Sequence, residues 1–231
     1  MVKQNTLLKL VADGQIQPNE RKLLGAETAE KLRELILLEK LPAGMHIPER
    51  DLAEVLGISR TPMREALRIL EMEGLVDYTP TRRSRVADPS IDELIQSMRV
   101  LSVLEALGGE LACSAASQKQ CDAITVLNQR MIGHSDSLSS IDFFKTDMEF
   151  HSSLINASGN QSLIDTHRKY NAKLWRARFL SSRRKQGRAT TLKQHQDITT
   201  ALCQRNSIAV AQAMRGHIET AMHNLEKRKS N

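Results

Sequence analysis

The spacing of apolar residues over positions 48–86 predicts helix, tight turn, helix and short hairpin in succession. Pro48 fits the first turn of the first helix, and Gly57 can take the left-handed conformation that ends it. The apolar stripe of this helix consists of Leu52, Ala53, Val55 and Leu56. This order of elements is that of a winged helix-turn-helix, a DNA-reading motif.

The second helix of the motif has two chemically different faces. Thr61 is predicted to cap its first N–H groups, Pro62 to occupy its first position and Gly74 to follow its end. The apolar arc holds Met63, Ala66, Leu67, Ile69 and Leu70, and the opposite arc holds Arg60, Thr61, Arg64 and Arg68. The basic arc suits a recognition helix, although an ordinary amphipathic helix with a solvated basic face has the same pattern when it stands alone.

The segment ERDLAEVLGISRTPMREALRILEMEGLV, at 49–76, resembles the signature of the GntR-type bacterial transcription regulators over its whole length. The resemblance implies that five residues of the two helices face DNA: Arg50, Ser59, Arg60, Thr61 and Arg64, with Arg60 and Arg64 as base readers. It also implies wing strands at 75–79 and 84–87 with a tip at 80–83. The family usually has glycine in place of Arg83, so Arg82 and Arg83 either enter the minor groove or bind phosphate, or form a basic hairpin without base contacts.

Composition is compatible with this interpretation. The chain has 231 residues, enough for two modest domains, and its hydrophobic content of 40% is ordinary for a folded protein. We find no apolar run of membrane-spanning length and no signal-like N-terminus, so we expect a cytoplasmic protein without a membrane partner. The three cysteines have no metal-type spacing and are expected to be reduced thiols: Cys113, Cys121 and Cys203.

Positive charge is concentrated outside the DNA-reading motif. Residues 1–88 hold 14 Lys plus Arg and 14 Asp plus Glu, so the formal net charge of +6 comes from the rest of the chain. DNA binding must therefore depend on individually placed arginines. Ten Lys or Arg and no acidic residue occur within 168–193. These residues form either a solvated surface or, for Arg176 and Arg178, part of a pocket for an acidic small molecule.

Breaks in the periodicity divide the chain into segments. We predict an arm or short extra helix at 1–20, a winged helix-turn-helix domain at 21–87 with its first helix at 28–38, and a linker at 88–90. Residues 91–226 have a helical period without strand-like alternation and are predicted to form about six helices, followed by a tail at 227–231. The predicted fold class is mainly α, with a small β-hairpin wing and an all-α C-terminal bundle.

Two residues four positions apart give the helical region its candidate chemistry. Asp147 and His151 lie on one face of a predicted helix and can bind one cation together. His195 and His217 lie on later helices that must pack against the others in a bundle of this size. One carboxylate and three imidazoles suit zinc, nickel or manganese. By spacing alone, however, a histidine on such a helix is more often a hydrogen-bonded structural residue.

The segment TDMEFHSSLINASGNQSL resembles the metal-binding helix of the FCD-type effector domain in the FadR subfamily. In metal-containing members one aspartate and three histidines hold the ion, which implies four ligands here: Asp147, His151, His195 and His217. The remaining histidines match no such motif and are expected to be surface or packing residues: His46, His134, His167 and His223.

One departure from that family concerns the anchor for a carboxylate ligand. The first helix of the effector domain commonly has an arginine where this chain has Leu101, four residues before Glu105. Arg99 lies two residues away and is expected to face elsewhere. We take Arg99, Arg176 and Arg178 as candidate contacts to an effector.

The predicted function is that of a dimeric, sequence-specific DNA-binding transcription regulator. Two recognition helices would read an inverted-repeat operator in double-stranded DNA, and a small organic acid beside the metal would bias their relative placement. One alternative is a DNA-binding homodimer without a functional effector pocket. The other is a metal-dependent hydrolase, for which the sequence offers no obvious separate general base, nucleophile motif or phosphate loop.

Overall fold

The computed structural model describes residues 20–182 and 188–229. These residues form nine helices and one two-stranded sheet, in the order α1 (Glu20–Leu37), α2 (Glu49–Val55), α3 (Arg60–Met72), β1 (Val76–Tyr78), β2 (Ser84–Val86), α4 (Ile91–Ala115), α5 (Gln118–Gly133), α6 (Ser140–Ala157), α7 (Gln161–Ser182), α8 (Arg188–Cys203) and α9 (Ser207–Lys229). The predicted fold class is confirmed. Within the described ranges, no helix combines the length and apolar character needed to cross a membrane.

The N-terminal region packs α1, α2, α3 and the wing around one apolar core. The residues that α1 and α3 contribute are almost fully buried: Leu32, Ile36, Met63, Ala66, Leu67 and Leu70. β1 and β2 pair antiparallel with Val76 opposite Val86, and both valines are buried in the same core. The apolar arc predicted for α3 is therefore the packed face of that helix, while its basic arc stays exposed.

The two helix ends marked by glycine are confirmed, but the start of α3 differs from the prediction. Gly57 and Gly74 have φ of 65° and 66° and follow the ends of α2 and α3. Ser59, not Thr61, is the N-cap of α3, and in the described structure its side chain makes no capping hydrogen bond. Pro62 lies inside the first turn, where its missing N–H is tolerated because no helical carbonyl precedes it.

Two further predictions for this region are wrong. α1 begins at Glu20, well before the predicted start at residue 28, and the predicted arm at 1–20 otherwise lies outside the described residues. Glycine has a low helix propensity, so Gly25 makes these first turns hard to recognise as helix from the sequence. In the structure Gly25 permits close packing, because a Cβ there would lie 3.1 Å from Glu65 Cβ on α3. Val55 is 81% exposed, so α2 buries a narrower stripe that centres on Ala53.

The C-terminal region consists of the six helices α4–α9, the number predicted. Capping boxes start two of them, formed by Ser90 with Glu93 on α4 and by Ser117 with Gln120 on α5. α4 packs against α6, α7 and α9. α9 continues through Lys229, so part of the segment predicted as a tail is helical.

Helix α7 connects the two regions. Gly74, just beyond α3, lies so close to α7 that an added Cβ would be 3.0 Å from Lys173 Cα. A second connection joins α6 to α1, because Lys145 Nζ lies 2.7 Å from Glu30 and 2.9 Å from Glu34. The end of the DNA-reading motif therefore rests on a helix whose other residues reach the interior of the bundle.

Candidate metal centre and nucleic-acid interface

Four predicted ligands meet inside the bundle. Asp147 and His151 lie one turn apart on α6, His195 lies on α8 and His217 on α9. All four side chains are buried, and one ligand atom from each lies within 4.8 Å of those of the other three. The folding of three helices thus brings the local pair at 147 and 151 together with two distant histidines.

The ligand atoms of this cluster are short of hydrogen-bond partners. Within the described residues, Asp147 Oδ1, His151 Nε2 and both ring nitrogens of His195 make no hydrogen bond. His195 Nε2 lies 3.3 Å and His151 Nε2 lies 3.9 Å from Asp147 Oδ1. Ligand atoms bound to one ion at about 2.0–2.2 Å lie roughly 3–3.5 Å apart. The residues therefore fit a divalent cation, which would satisfy buried polar atoms that are otherwise costly.

Burial controls the protonation of the cluster. It raises the pKa of Asp147, and the nearby His151 and Arg178 only partly oppose this effect. Burial also lowers the pKa of His195 and that of His217 well below the usual value. His151 and Arg178 lower both further, and His217 adds to the effect on the pKa of His195. Both rings are consequently neutral at neutral pH, which is the form of histidine that binds metals.

Gln194 orients one of the histidines. Its Nε2 donates a hydrogen bond of 2.8 Å to Thr220 Oγ1, and its Oε1 lies 3.0 Å from His217 Nδ1. In this arrangement His217 donates through Nδ1–H and keeps Nε2 available for a metal. A residue that hydrogen-bonds to the second nitrogen of a ligating imidazole fixes its tautomer and direction.

Glu105 on α4 forms a buried charged network beside the cluster. Its Oε1 accepts a hydrogen bond of 2.6 Å from Arg178 Nη1 and lies 3.2 Å from His167 Nε2. Its Oε2 lies 2.9 Å from His151 Nδ1, but the two atoms are not aligned as a hydrogen bond. Burial by itself would raise the pKa of Glu105; Arg178 and His151 outweigh it and hold that pKa well below its usual range. His167 is accordingly a buried polar partner rather than a surface residue.

A narrow polar cavity adjoins the cluster between α7, α8 and α9. Its lining residues include Asp147, Arg178, Ser181, Ser182, Gln194, His217, Thr220 and Asn224. The volume of about 20 Å³ admits one water-sized group. Arg178 is the one predicted effector contact among these described residues. Arg176 lies 3.6 Å from Glu39 instead, and Arg99 is exposed on α4, so the structure does not bring either of them to the cavity.

The residues implied to contact DNA all lie on the exposed surface of the N-terminal region: Arg50, Ser59, Arg60, Thr61, Arg64, Arg82 and Arg83. Arg64 Nε lies 3.8 Å from Glu49 Oε2, at the start of α2. The other Glu49 oxygen accepts a hydrogen bond of 3.0 Å from Ser84 Oγ at the base of the wing. Glu49 therefore lies between the wing and the Arg64 side chain, which is 74% exposed.

The wing tip closes without glycine. Arg82 takes the left-handed conformation, with φ of 56°, and its N–H donates a hydrogen bond of 2.8 Å to the Thr79 carbonyl. Thr79 Oγ1 in turn accepts from the Arg83 N–H at 3.1 Å. The left-handed residue of this turn is therefore Arg82, next to the position where the family usually has glycine.

Two residues of the site, Glu105 and Gln194, have no role in the predictions made from the sequence. Glu105 does carry a signal, because it is the single charge in the otherwise apolar stretch VLSVLEALGG. Gln194 carries none, since its neighbour His195 is on the ligand list and an adjacent helical residue is expected to face elsewhere. Its contact with His217 depends on how α8 packs against α9.

Together, the exposed basic helix of a winged motif and a helical bundle with a buried polar site define a DNA-binding transcription regulator with an effector domain. The chain belongs to the GntR family: residues 24–86 match the family described as "Bacterial regulatory proteins, gntR family", and residues 96–220 match the FCD domain.

Individual relatives agree with this assignment. The chain is 31% identical over 202 residues to an HTH-type transcriptional regulator in an unstable DNA locus of Streptomyces ambofaciens, covering 85% of this chain and 83% of the relative. It is 29% identical over 230 residues to the Glc operon transcriptional activator of Escherichia coli K12, covering 90% and 91%. These families and relatives are regulators, which confirms the prediction that the chain is not an enzyme.

The fold also matches a solved structure. E. coli McbR/YncC superposes with a TM-score of 0.75 at 15% identity, covering 89% of this chain and 98% of that chain. At this level of identity the match establishes the shared arrangement of the two regions.

Proposed function

We propose that this regulator is a homodimer whose affinity for its operator is set by a small carboxylate bound beside a divalent metal ion. The observation that carries the proposal is the set of four buried ligand atoms within 4.8 Å of one another. Asp147, His151, His195 and His217 would hold the ion. When bound, it would supply positive charge and open coordination positions for carboxylate oxygens.

The donor set favours a borderline metal. Three imidazole nitrogens and one carboxylate oxygen suit zinc, nickel or manganese better than calcium or magnesium, which prefer oxygen ligands alone. Gln194 fixes His217, and Glu105 lies against the opposite nitrogen of His151. Both histidines would then present Nε2 toward the ion.

The effector is proposed to enter from the polar cavity between α7, α8 and α9. Arg178 lines this cavity and carries the positive charge nearest to the cluster among its lining residues. Because the cavity has room for only one water-sized group, an organic acid must displace its lining side chains to bind. Binding would therefore be coupled to the packing of α7, the helix on which the end of the DNA-reading motif rests.

The output is proposed to be a change in how two DNA-reading surfaces fit an inverted repeat. Arg60 and Arg64 would read base edges, with Arg50, Ser59 and Thr61 around them and Arg82 and Arg83 on the wing. A two-fold dimer would present one such surface to each half-site. We further propose that the regulator acts in the cytoplasm, where the DNA of a bacterial cell lies.

The test combines metal removal with thermal melting of the full chain. Protein stripped with a chelator is melted with and without zinc, nickel or manganese, alongside Asp147→Asn and the exposed control His223→Ala. Metal at about 100 times its dissociation constant should stabilise the native state by about 2.7 kcal/mol, which raises the melting temperature by roughly 5–10 °C. The shift should be kept in His223→Ala and lost in Asp147→Asn. Equal shifts in all three proteins would overturn the ligand set.

Small organic acids such as citrate are added in the second step. An acid that binds beside the metal should raise the melting temperature further only when metal is present. If metal stabilises the protein and no acid adds to the effect, the alternative of a DNA-binding dimer without an effector pocket is supported instead.

A further inference from the structure

A cavity lies outside the metal cluster, between α3 and the bundle. Its volume is about 480 Å³, within the usual range for a small-molecule site. Most of its wall is apolar: Ile69 and Met72 from α3, Ile155 from α6, and Ile164, Ala172 and Trp175 from α7. It shares no lining residue with the polar cavity beside the metal cluster.

The charged residues of this cavity are predominantly positive. Glu73 is its one described acidic lining residue, and Arg33 neutralises it through hydrogen bonds of 2.9 and 2.7 Å. Arg168 lies 3.3 Å from Asp165, while Lys169 forms no ion pair with any described residue. The cavity therefore combines an apolar interior with an uncompensated lysine at its exposed edge.

The wall of the cavity also reaches the charged network of the bundle. His167 and Asn171 line it from α7. His167 Nε2 lies 3.2 Å from Glu105, and Asn171 Oδ1 accepts a hydrogen bond of 2.9 Å from Arg178. A molecule in this cavity would thus touch α3, which carries Arg60 and Arg64, and two residues that support the network around Glu105.

We infer that this cavity is a second ligand site, which binds a small anion with an apolar, aromatic-sized body. The body would pack among Ile69, Ile155 and Trp175, and the anionic group would face Lys169 and Arg168. Because the walls belong to both regions of the chain, the ligand would favour the relative placement of α3 and α7 seen here. The site needs no metal and shares no lining residue with the polar cavity of the proposed carboxylate site.

Trp175 makes the inference directly measurable, because it is the one tryptophan in the chain. The probe is anilinonaphthalenesulfonate, an anionic aromatic dye that accepts excitation energy from a nearby indole. Exciting Trp175 in the full chain should produce dye emission that saturates with one dye per chain. Naphthoate should displace the dye, and its neutral counterpart naphthamide should bind about two- to fivefold more weakly, as the loss of an exposed ion pair predicts.

Two variants, each with a matched control, test whether the dye binds in this cavity. Ala172→Leu fills part of the cavity and should raise the dissociation constant about tenfold or more, because the added side chain occupies space that the dye needs. Thr166→Leu, an exposed change on the same helix, should leave it unaltered. Lys169→Glu should weaken binding by about two- to fivefold relative to Lys119→Glu, an exposed charge reversal on α5. Since Lys169 is on the surface, this comparison holds even if Ala172→Leu does not fold.

Equal energy transfer in Ala172→Leu and Thr166→Leu would overturn the assignment, and so would equal affinity for naphthoate and naphthamide. The measurement is repeated after metal has been removed with a chelator. Unchanged dye binding is expected, so that failure of the metal proposal and failure of this one are distinguishable.

Discussion

Arg178 on α7 donates a hydrogen bond of 2.6 Å to Glu105 on α4 in the interior of the bundle, where both side chains are almost fully buried. The family commonly supplies an arginine one turn before this glutamate on the same helix. Here that position is Leu101, which joins the apolar core around Met98 and Phe144. The guanidinium that faces Glu105 comes from a different helix, α7, and it gives the buried carboxylate a positive partner.

Replacing Arg178 with Met should lower the free energy of unfolding by about 3–5 kcal/mol, because Glu105 would become an uncompensated buried charge. Arg176→Met is the matched control, since Arg176 lies two residues away, is partly exposed and only approaches Glu39 at 3.6 Å. Its cost should be clearly smaller, because Glu39 is partly exposed and does not become an uncompensated buried charge. Urea denaturation of the full chain measures both. Adding Glu105→Gln to Arg178→Met should recover part of the loss, and no recovery would mean that packing rather than charge sets the cost.

The elements that could be predicted from sequence are those that depend on neighbours along the chain. Gly57 and Gly74 predict helix ends, because glycine takes the left-handed conformation of a helix C-terminus whatever the rest of the chain does. Asp147 and His151 share a face because a helix places residues four apart together. The wing strands at 75–79 and 84–87, by contrast, are expected from the resemblance to the GntR-type signature, and the structure has β1 at Val76–Tyr78 and β2 at Ser84–Val86.

The remainder depends on contacts between distant segments. No local pattern indicates that Arg178 reaches Glu105, 73 residues away, or that His167 joins the same carboxylate. The 480 Å³ cavity likewise exists only because α3 packs beside α7. The exposure of Arg99, by contrast, is a local property, because residues two apart lie on different faces of α4.

Arg64→Ala should weaken binding to a selected operator by about 1–3 kcal/mol if the side chain reads a base. The structure favours this role because Arg64 lies on the exposed face of α3, near Glu49 and the wing. The operator can be obtained by selection from random duplexes, and affinities measured by fluorescence anisotropy at fixed salt. Arg99→Ala, an exposed change on α4, should have no effect. Equal losses on operator and random DNA would instead make Arg64 a phosphate contact.

Arg82→Gly should have opposite effects on stability and on DNA binding. Removing the side chain relieves a left-handed residue with φ of 56°, so the free energy of unfolding should rise by up to about 1 kcal/mol. Loss of the charge should weaken binding to all DNA and reduce the salt dependence by about one phosphate contact. Arg83→Gly removes the same charge from a residue with ordinary φ, so it should weaken DNA binding without stabilising the fold. If both Arg82→Gly and Arg83→Gly raised the free energy of unfolding, backbone strain at Arg82 would not be the cause.

Replacing three helical glycines with alanine should separate the effect of close packing on stability from the effect of helix propensity. Gly216 on α9 has open space around it, so Gly216→Ala should stabilise the protein by about 0.5–1 kcal/mol. At Gly109 on α4 a Cβ would lie 2.4 Å from Val210 Cγ1, and a β-branched side chain has few alternative rotamers. Gly109→Ala should therefore destabilise the protein by about 1–3 kcal/mol despite the better propensity. At Gly108 the opposing atom is Ile155 Cδ1, at 2.3 Å, which is the end of a longer side chain and can move more easily. Gly108→Ala should fall between the other two in urea denaturation, and a larger loss at 108 than at 109 would show that Ile155 is the more rigid neighbour.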